Sequence, residues 1–349
     1  MRLEDKLDQL KEYFRGRKVI IAFSGGADST LLAKIAQDYS AEALAVTVNN
    51  GVMPSGFNGN ARKIAHQVGI NHLVIEEDLI KNPNFVSNSP LRCFLCKKNI
   101  HGKIGEILKE KGFDYVADGT NVTDLFEDRP GLEANYQQDI KMPLVELGVS
   151  AGEVRELLKD MKISYSPSTT CLATRVPSGS FLTNKKLQKI DYAEKFLKNL
   201  SDKEFLRVRD EDGTAVIEMD YTNLLNNQSL SFIDSELKSI GFRKVTLDLA
   251  GSQRHKNEMV FYKPCRDDRN RIMFETELPY QLDIEKSCEG LKKLGNVKYS
   301  LEMGVALLKL DEINVTIFSK GKIVARGMKD KGDAEALLFR LMPHIRRKF

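Results

Sequence analysis

Two sets of side chains in this 349-residue chain stand at spacings that can do chemistry. The first is SGGADST, Ser24 to Thr30. Gly25 and Gly26 permit a tight turn and a close backbone approach, while Ser24, Ser29, Thr30 and the start of a following helix offer donors to phosphate oxygens. The GK[ST] ending of a Walker A loop is absent, so this is another kind of phosphate loop. The second set is made of cysteines. Cys93 and Cys96, in SPLRCFLCKKN, stand at i and i+3, so on a helix both thiols share one face and can reach one metal or redox centre. Two thiolates leave such a centre incomplete, because zinc wants four ligands and iron–sulfur clusters take three or four cysteines. Cys171, in SPSTTCLATRVPSG, is the best candidate for the missing ligand. Arg175, four positions on, would favour its thiolate, the form that both binds metals and attacks. Cys265 and Cys288 sit in no ligand-spaced pair and read as incidental. His66, His72, His101, His255 and His344 are scattered and read as structural or surface groups.

These residues need a frame. KVIIAF (18–23), ALAVTVN (43–49) and HLVIEE (72–77) read as buried strands with amphipathic helical patterns between them. DYVADGTN (114–121) adds a fourth strand ending in the polar run Asp118, Gly119, Thr120 and Asn121. The alternation predicts an α/β fold with a Rossmann-like parallel sheet and crossover helices. Ligands of such sheets bind beyond the carboxyl ends of the strands, where both SGGADST and Asp118–Asn121 stand. From about residue 201 the pattern changes to a smaller α+β unit: FLRVRDEDGTAVIEM (205–219) reads as a hairpin turning at Asp212-Gly213, followed by a helix and the strand KVTLDLA (244–250). A third unit follows, with a helix near 283–294, the strand VALLKL (305–310), the hairpin INVTIFSKGKIVARG (313–327) and a closing helix from about Asp330. The expected division is 1–200, 201–264 and 265–349.

Composition narrows the function classes. Hydrophobic residues make up 42 %, enough for at least one full core. The charge of +4 comes from 53 basic and 49 acidic residues spread along the chain, which makes no strong case for a nucleic-acid partner. Five cysteines are too few for a disulfide scaffold. No apolar run reaches membrane-spanning length and MRLEDKLDQLKEYF is unlike a signal peptide, so a cytoplasmic protein without membrane contact is expected.

SGGADST resembles the PP-loop of ATP pyrophosphatases, which cleave ATP between the α- and β-phosphates and transfer AMP to an acceptor. The resemblance implies that Ser24, Gly25, Gly26, Asp28, Ser29 and Thr30 hold the leaving pyrophosphate and that Asp28 helps to organise Mg2+. It also implies that the adenine and ribose contacts begin at Asn49 and Gly51, with Gly119 and Thr120 facing the same crevice. Taken with PLRCFLCK, DGTNVTDLFEDRPGLEA, PLVELGVS, CLATRVPSG and TNKKLQKIDYAE, the chain resembles LarE-like ATP-dependent sulfur transferases over about residues 1–250. In that family the cysteine matching Cys171 either gives up its own sulfur or joins a CxxC in holding a [4Fe-4S] cluster. The presence of Cys93, Cys96 and Cys171 together implies the cluster, with one iron left open for an extra sulfide; a persulfide or sacrificial Cys171, or zinc, is the alternative. Glu194 matches an acidic residue near the family's active site, although on an amphipathic helix a carboxylate is usually solvated. Arg175 is the expected contact to phosphate or acyl-adenylate oxygens, and Asp128 and Arg129 are further phosphate candidates.

The implied reaction has two steps. A carboxylate or carbonyl oxygen of the acceptor attacks the α-phosphate of ATP, and sulfur then displaces AMP. The expected acceptor is the pyridinium mononucleotide precursor of the nickel-pincer cofactor. The alternatives are a tRNA, contacted by Lys185-Lys186 and Arg254-His255-Lys256, a cluster-dependent desulfidase of a small thiol compound, and a non-catalytic nucleotide-binding module. Sulfide or a sulfur donor is required, and a homo-oligomer is expected. Three departures from the family bear on the acceptor. SYSPSTTCLATR lacks a tryptophan and a lysine, LDLAGSQRHKNE replaces a glycine-tyrosine-arginine string, and the residues beyond about 265 are extra.

Overall fold

The computed structural model describes residues 2–201, 206–219, 227–248, 259–262 and 271–349. Strands β1 (Lys18–Ala22), β2 (Glu42–Asn49), β3 (Asn71–Glu76) and β4 (Tyr115–Asp118) form a wholly parallel sheet in the order β3-β2-β1-β4. On one face the helices Leu3–Phe14, Ala27–Tyr39, Phe57–Val68 and Ala151–Asp160 pack into a core that includes Phe14, Val19, Ile21, Leu31 and Leu158. On the other face Ile104 of the Arg92–Lys111 helix meets Ile20, Val46 and Val116. Burial on both faces explains why β1 and β2 read as continuous apolar runs, whereas β3, expected as a buried strand, lies at the sheet edge with every residue at least partly exposed.

The carboxyl end of β4 comes down onto the first turn of the Ala27–Tyr39 helix. A Cβ on Gly119 would lie 2.8 Å from the Ser29 backbone nitrogen and 3.1 Å from the Asp28 carbonyl carbon, so only glycine fits there. Gly25 is held in the left-handed region at φ 74°, and a Cβ on it would meet Ala61 Cα at 3.2 Å.

The second unit is the hairpin of β5 (Leu206–Glu211) and β6 (Thr214–Met219), with β7 (Lys244–Leu247) parallel to β6. Its turn falls on Asp212 and Gly213, both at positive φ, and its core takes in Ala193 and Leu197 of the Asn184–Ser201 helix. The strand expected over 244–250 is seen to Leu247; its last two residues, Arg254-His255-Lys256, most of LDLAGSQRHKNE and Cys265 lie outside the described residues.

The third unit is an antiparallel sheet of β8 (Val260–Tyr262), β9 (Ile272–Glu277), β10 (Asn296–Ser300), β11 (Val305–Leu310), β12 (Ile313–Phe318) and β13 (Lys322–Met328), in the order β10-β11-β12-β13-β9-β8. The helices Ile284–Leu291 and Lys331–Leu341 pack on the face formed by Ala306, Leu308, Val315 and Ile323. This core also contains Leu125, Met142 and Val145 from the first unit. The Tyr280 hydroxyl donates to the Leu125 carbonyl at 2.7 Å, Arg347 pairs with Asp128, and the Phe349 ring sits 5.8 Å from that of Phe94. The third unit is therefore built onto the first. No described helix is long and apolar enough to cross a membrane.

Gly119→Ala should destabilise the protein by about 1–3 kcal/mol, because its new Cβ overpacks against fixed backbone. Gly105, inside the Arg92–Lys111 helix with nothing within 4 Å of an added Cβ, is the control: Gly105→Ala should stabilise by about 0.5–1 kcal/mol. Urea unfolding of both variants checks this, and equal stabilities would refute the close-approach argument.

Candidate active site

The phosphate loop leaves β1 and closes on itself through hydroxyls. Ser24 Oγ lies 3.1 Å from Ser29 Oγ, the Gly26 N–H donates to Ser24 Oγ at 3.3 Å, and Ser29 Oγ donates to the Gly26 carbonyl at 3.2 Å. Gly26 is the N-cap of the Ala27–Tyr39 helix and has no side chain to cap it, so the first-turn N–H groups and the positive end of the helix dipole stay open to an anion. Thr30 is fully buried, and its hydroxyl finds no protein partner among the described residues.

Beyond β4, Asn121 ties this loop to a second carboxylate. Its side-chain amide donates to Asp28 Oδ1 at 2.9 Å, its backbone N–H donates to Asp124 Oδ2 at 3.1 Å, and its Oδ1 accepts from the Thr123 N–H at 2.8 Å. Burial pushes the Asp28 carboxyl above its ordinary range. Burial likewise pushes Asp124 up to about 6, with the Asp28 charge adding to the rise and Arg129, 2.9 Å away, opposing it. Asp124 is a site residue that the motif reading passed over; its signal in the sequence is the Asn-x-x-Asp spacing of a capping box. Arg129 is occupied by Asp124 and Glu127, and Asp128 by Arg347.

Asp118, Gly119 and Thr120 are part of a buried network. Asp118 accepts from the Thr120 N–H at 2.8 Å and from Asn135 Nδ2 at 3.2 Å, and pairs with Lys97 at 3.2 Å. Burial alone would raise its pKa, but Lys97, His101 and Thr120 hold it well below the ordinary carboxylate range. Lys97 follows Cys96, so the network joins the end of β4 to the cysteine helix. Asn49 turns its amide to Glu76 Oε2 at 2.6 Å; its neighbour Asn50, buried, donates instead to Cys96 Sγ at 3.6 Å.

Cys93 and Cys96 lie in the first turns of the Arg92–Lys111 helix, and Cys171 opens a short 3-10 turn, Leu172–Arg175. Cys96 and Cys171 pack against one apolar cluster that includes Val52, Phe85 and Leu172, and the Leu172 N–H donates to the Val52 carbonyl at 2.8 Å. Burial pushes the Cys96 thiol up to about 12, with Cys171 and Cys93 adding to the rise. Burial also raises Cys171, opposed most strongly by Arg92. Cys96 and Cys171 therefore share one desolvated neighbourhood, with Cys93 close enough to act on both. Among the described residues no group of three or more His, Cys, Asp or Glu side chains converges tightly enough to hold a single metal ion.

Arg175 and Glu194 find each other. Arg175, 4 % exposed, donates through Nε to Glu194 Oε1 at 2.7 Å and through a terminal nitrogen to Thr174 Oγ1 at 2.6 Å. Glu194 also accepts the Val208 N–H at 3.1 Å, which fastens the Cys171 turn to β5. Arg92 is thus the guanidinium with the larger influence on Cys171, and Arg175 is a brace. On β5, Arg209 donates to the Thr174 carbonyl at 3.1 Å, and burial together with the charges of Arg175 and Arg209 lowers the Arg207 pKa. Three guanidiniums are thereby gathered behind the Cys171 turn. Strand alternation puts Arg207 and Arg209 on the face opposite Leu206 and Val208, which is the signal the sequence offers for them.

Comparison with known proteins agrees with this geometry. The family profile of the queuosine biosynthesis protein QueC matches residues 18–90, the stretch from β1 through β3. An uncharacterized protein of Synechocystis sp. is 35 % identical over 269 residues, covering 75 % of this chain and 100 % of that one. An uncharacterized protein of Methanocaldococcus jannaschii is 35 % identical over 244 residues, 69 % of this chain and 93 % of that one. The pyridinium-3,5-bisthiocarboxylic acid mononucleotide synthase of Lactiplantibacillus plantarum is 29 % identical over 242 residues, 67 % of this chain and 87 % of that one. The chain belongs to the LarE-like PP-loop sulfur transferases. This LarE-like enzyme is an ATP-dependent sulfurtransferase, and ATP is its nucleotide.

The LarE-like loop carries its charge on two carboxylates with raised pKa values, and the sign of the pH effect follows. With Asp124 at about 6, its negative charge is present above that pH and lost below it. Nucleotide-dependent pyrophosphate release should therefore rise with pH through about 6, and Asp124→Asn should remove that limb. Stability should move the other way: the folded pKa lies above the unfolded value of about 3.9, so the unfolding free energy should fall as pH rises from about 4 to 6. A flat rate profile between pH 5 and 7, on the order of one unit either side of the midpoint, would contradict the assignment.

Proposed function

We propose that the enzyme adenylates a carboxylate of a small nucleotide acceptor at the Ser24–Thr30 loop and replaces the activated oxygen with sulfur at Cys93, Cys96 and Cys171, using Mg2+ and a [4Fe-4S] cluster. One contact carries this reading. The segment that leads into Cys171 is hydrogen-bonded to the phosphate loop itself, from the Ser166 N–H to the Gly25 carbonyl at 2.8 Å. Adenylation and sulfur delivery therefore share one crevice.

The residues suit both cofactors. Asp28 and Asp124 are desolvated carboxylates whose proton a divalent cation would replace with a gain in charge neutralisation, so they would hold Mg2+ together with phosphate oxygens. Cys93, Cys96 and Cys171 are three neighbouring thiols, two of which, Cys96 and Cys171, pack against an apolar cluster, with Arg92 beside Cys93. Three thiolates suffice for an iron–sulfur cluster but leave a four-ligand zinc site one short, so the ligand count favours the cluster. When bound, the cluster would supply an iron that this chain does not ligate, the kind of position where external sulfide exchanges.

The chain's own groups account for the rest. The loop N–H groups, Ser24 and Ser29 hold the departing pyrophosphate, and the helix dipole stabilises its charge as it leaves. The acceptor carboxylate displaces pyrophosphate to give an acyl-adenylate; hydrosulfide then adds at the acyl carbon, AMP leaves with the C–O bond electrons, and a proton is released with the thiocarboxylate. Arg207, on β5 behind the Cys171 turn, would bind the phosphate of a mononucleotide acceptor, the class of compound in the name of the Lactiplantibacillus relative, while Arg209 is held by Glu218 and the Thr174 carbonyl.

Asp28→Ala should lower acceptor-dependent pyrophosphate release by about 100-fold or more while leaving the fold intact, and Ser24→Ala should lower it less. Alanine at Cys93, Cys96 or Cys171 should abolish thiolation to a similar degree each. With added sulfide the wild-type enzyme should turn over repeatedly with Cys171 intact. A protein that loses the mass of one hydrogen sulfide after a single turnover would show Cys171 to be the sulfur source instead, and tRNA retained on a gel at moderate salt would replace the small acceptor.

A further inference from the structure

The two cysteine segments are distant in sequence and are joined by hydrogen bonds that converge on Asn88 and Arg92. Asn88 is fully buried, sits at φ 55°, and spends every polar group it has. Its N–H donates to the Phe85 carbonyl at 3.0 Å, and its own carbonyl accepts from the Gly179 N–H at 2.9 Å and from Ser178 Oγ at 3.2 Å. Its side-chain amide donates to the Pro177 carbonyl at 2.7 Å and the Val176 carbonyl at 3.3 Å. Its Oδ1 accepts from Arg92.

Arg92 extends the joint toward the thiols. The same terminal nitrogen donates to the Ala173 carbonyl at 3.1 Å, inside the turn that Cys171 opens, while the other lies 3.9 Å from Cys93 Sγ. Its Nε is buried without a protein partner among the described residues, which is a costly state for a charged donor. A residue kept in so exacting a place, with a left-handed backbone beside it, serves more than local packing.

We propose that Asn88 and Arg92 are the positioning residues of the three-cysteine site: the Asn88–Arg92 joint, spanning the 86–92 and 173–182 segments, sets the separation between the Cys93/Cys96 pair and Cys171. The proposal rests on the reading of those cysteines as one centre and adds what holds them together. Among the described residues the hydrogen bonds of Asn88 and Arg92 run to the cysteine segments and not to the phosphate loop, so the joint acts on the sulfur half of the site.

Metal-free protein tests this without any cofactor. Mild diamide oxidation followed by peptide mass mapping should find Cys171 joined to Cys93 or Cys96 in the wild type. Asn88→Gly keeps the left-handed backbone and removes only the side chain; Arg92→Gln removes the arm to Ala173. In both, the Cys171 disulfide yield should fall roughly tenfold, as the loss of one or two ordinary hydrogen bonds predicts, while ATP binding by titration calorimetry stays at the wild-type value. Wild-type yields in both variants, absence of the disulfide in the wild type, or a matching loss of ATP binding would overturn the proposal. Iron content after anaerobic reconstitution separates the two readings: a wild type that binds no iron would sink the cluster and leave the disulfide result standing.

Discussion

The close approach of β4 to the helix that follows the phosphate loop governs the site. Because residue 119 has no side chain, the backbone after β4 lies against Asp28 and Ser29, and that contact brings Asn121 within reach of Asp28. The same segment turns Asp118 back toward Lys97, and so toward the helix that carries Cys93 and Cys96. One missing methyl group thus places the nucleotide carboxylates and the thiols in a common frame. Close-packed interiors transmit such a constraint because they have no slack to absorb it.

Buried charge then gives the frame its specificity. Arg175 and Glu194 are both removed from water, an arrangement that costs desolvation and is repaid only by good geometry and further hydrogen bonds. They have those bonds, to Thr170, Thr174 and the backbone of β5. Removing one partner would leave the other charge stranded, so the pair resists alternative packings of the Cys171 turn on the second unit. Cys96 and Cys171 pack against apolar side chains, and burial raises both thiols, which keeps these two inert until something takes their protons.

Much of this is legible in the sequence. Strands β1 and β2 announce themselves because both faces are covered, and the hairpin at Asp212-Gly213 because the turn needs positive φ. The phosphate loop and the three cysteines stand out by residue type and spacing. Arg175 lowers the Cys171 pKa as its place four positions on suggests, but Arg92 does so more strongly from a distant segment, and nothing near Cys171 in the sequence signals that. Asn49 turns to Glu76 and its neighbour Asn50 to Cys96, and no local pattern says which of the two meets the thiol. Glu194 reads as a solvated helix residue because its partner lies across the fold.

The third unit has a consequence for reading related chains. Its hydrophobic core borrows Leu125, Met142 and Val145, residues just downstream of the acidic loop that holds Asp124. In a shorter chain those positions would meet water, where three apolar side chains in a row of contacts invite self-association. Polar residues there should accompany chains without the extra sheet, and apolar ones chains with it.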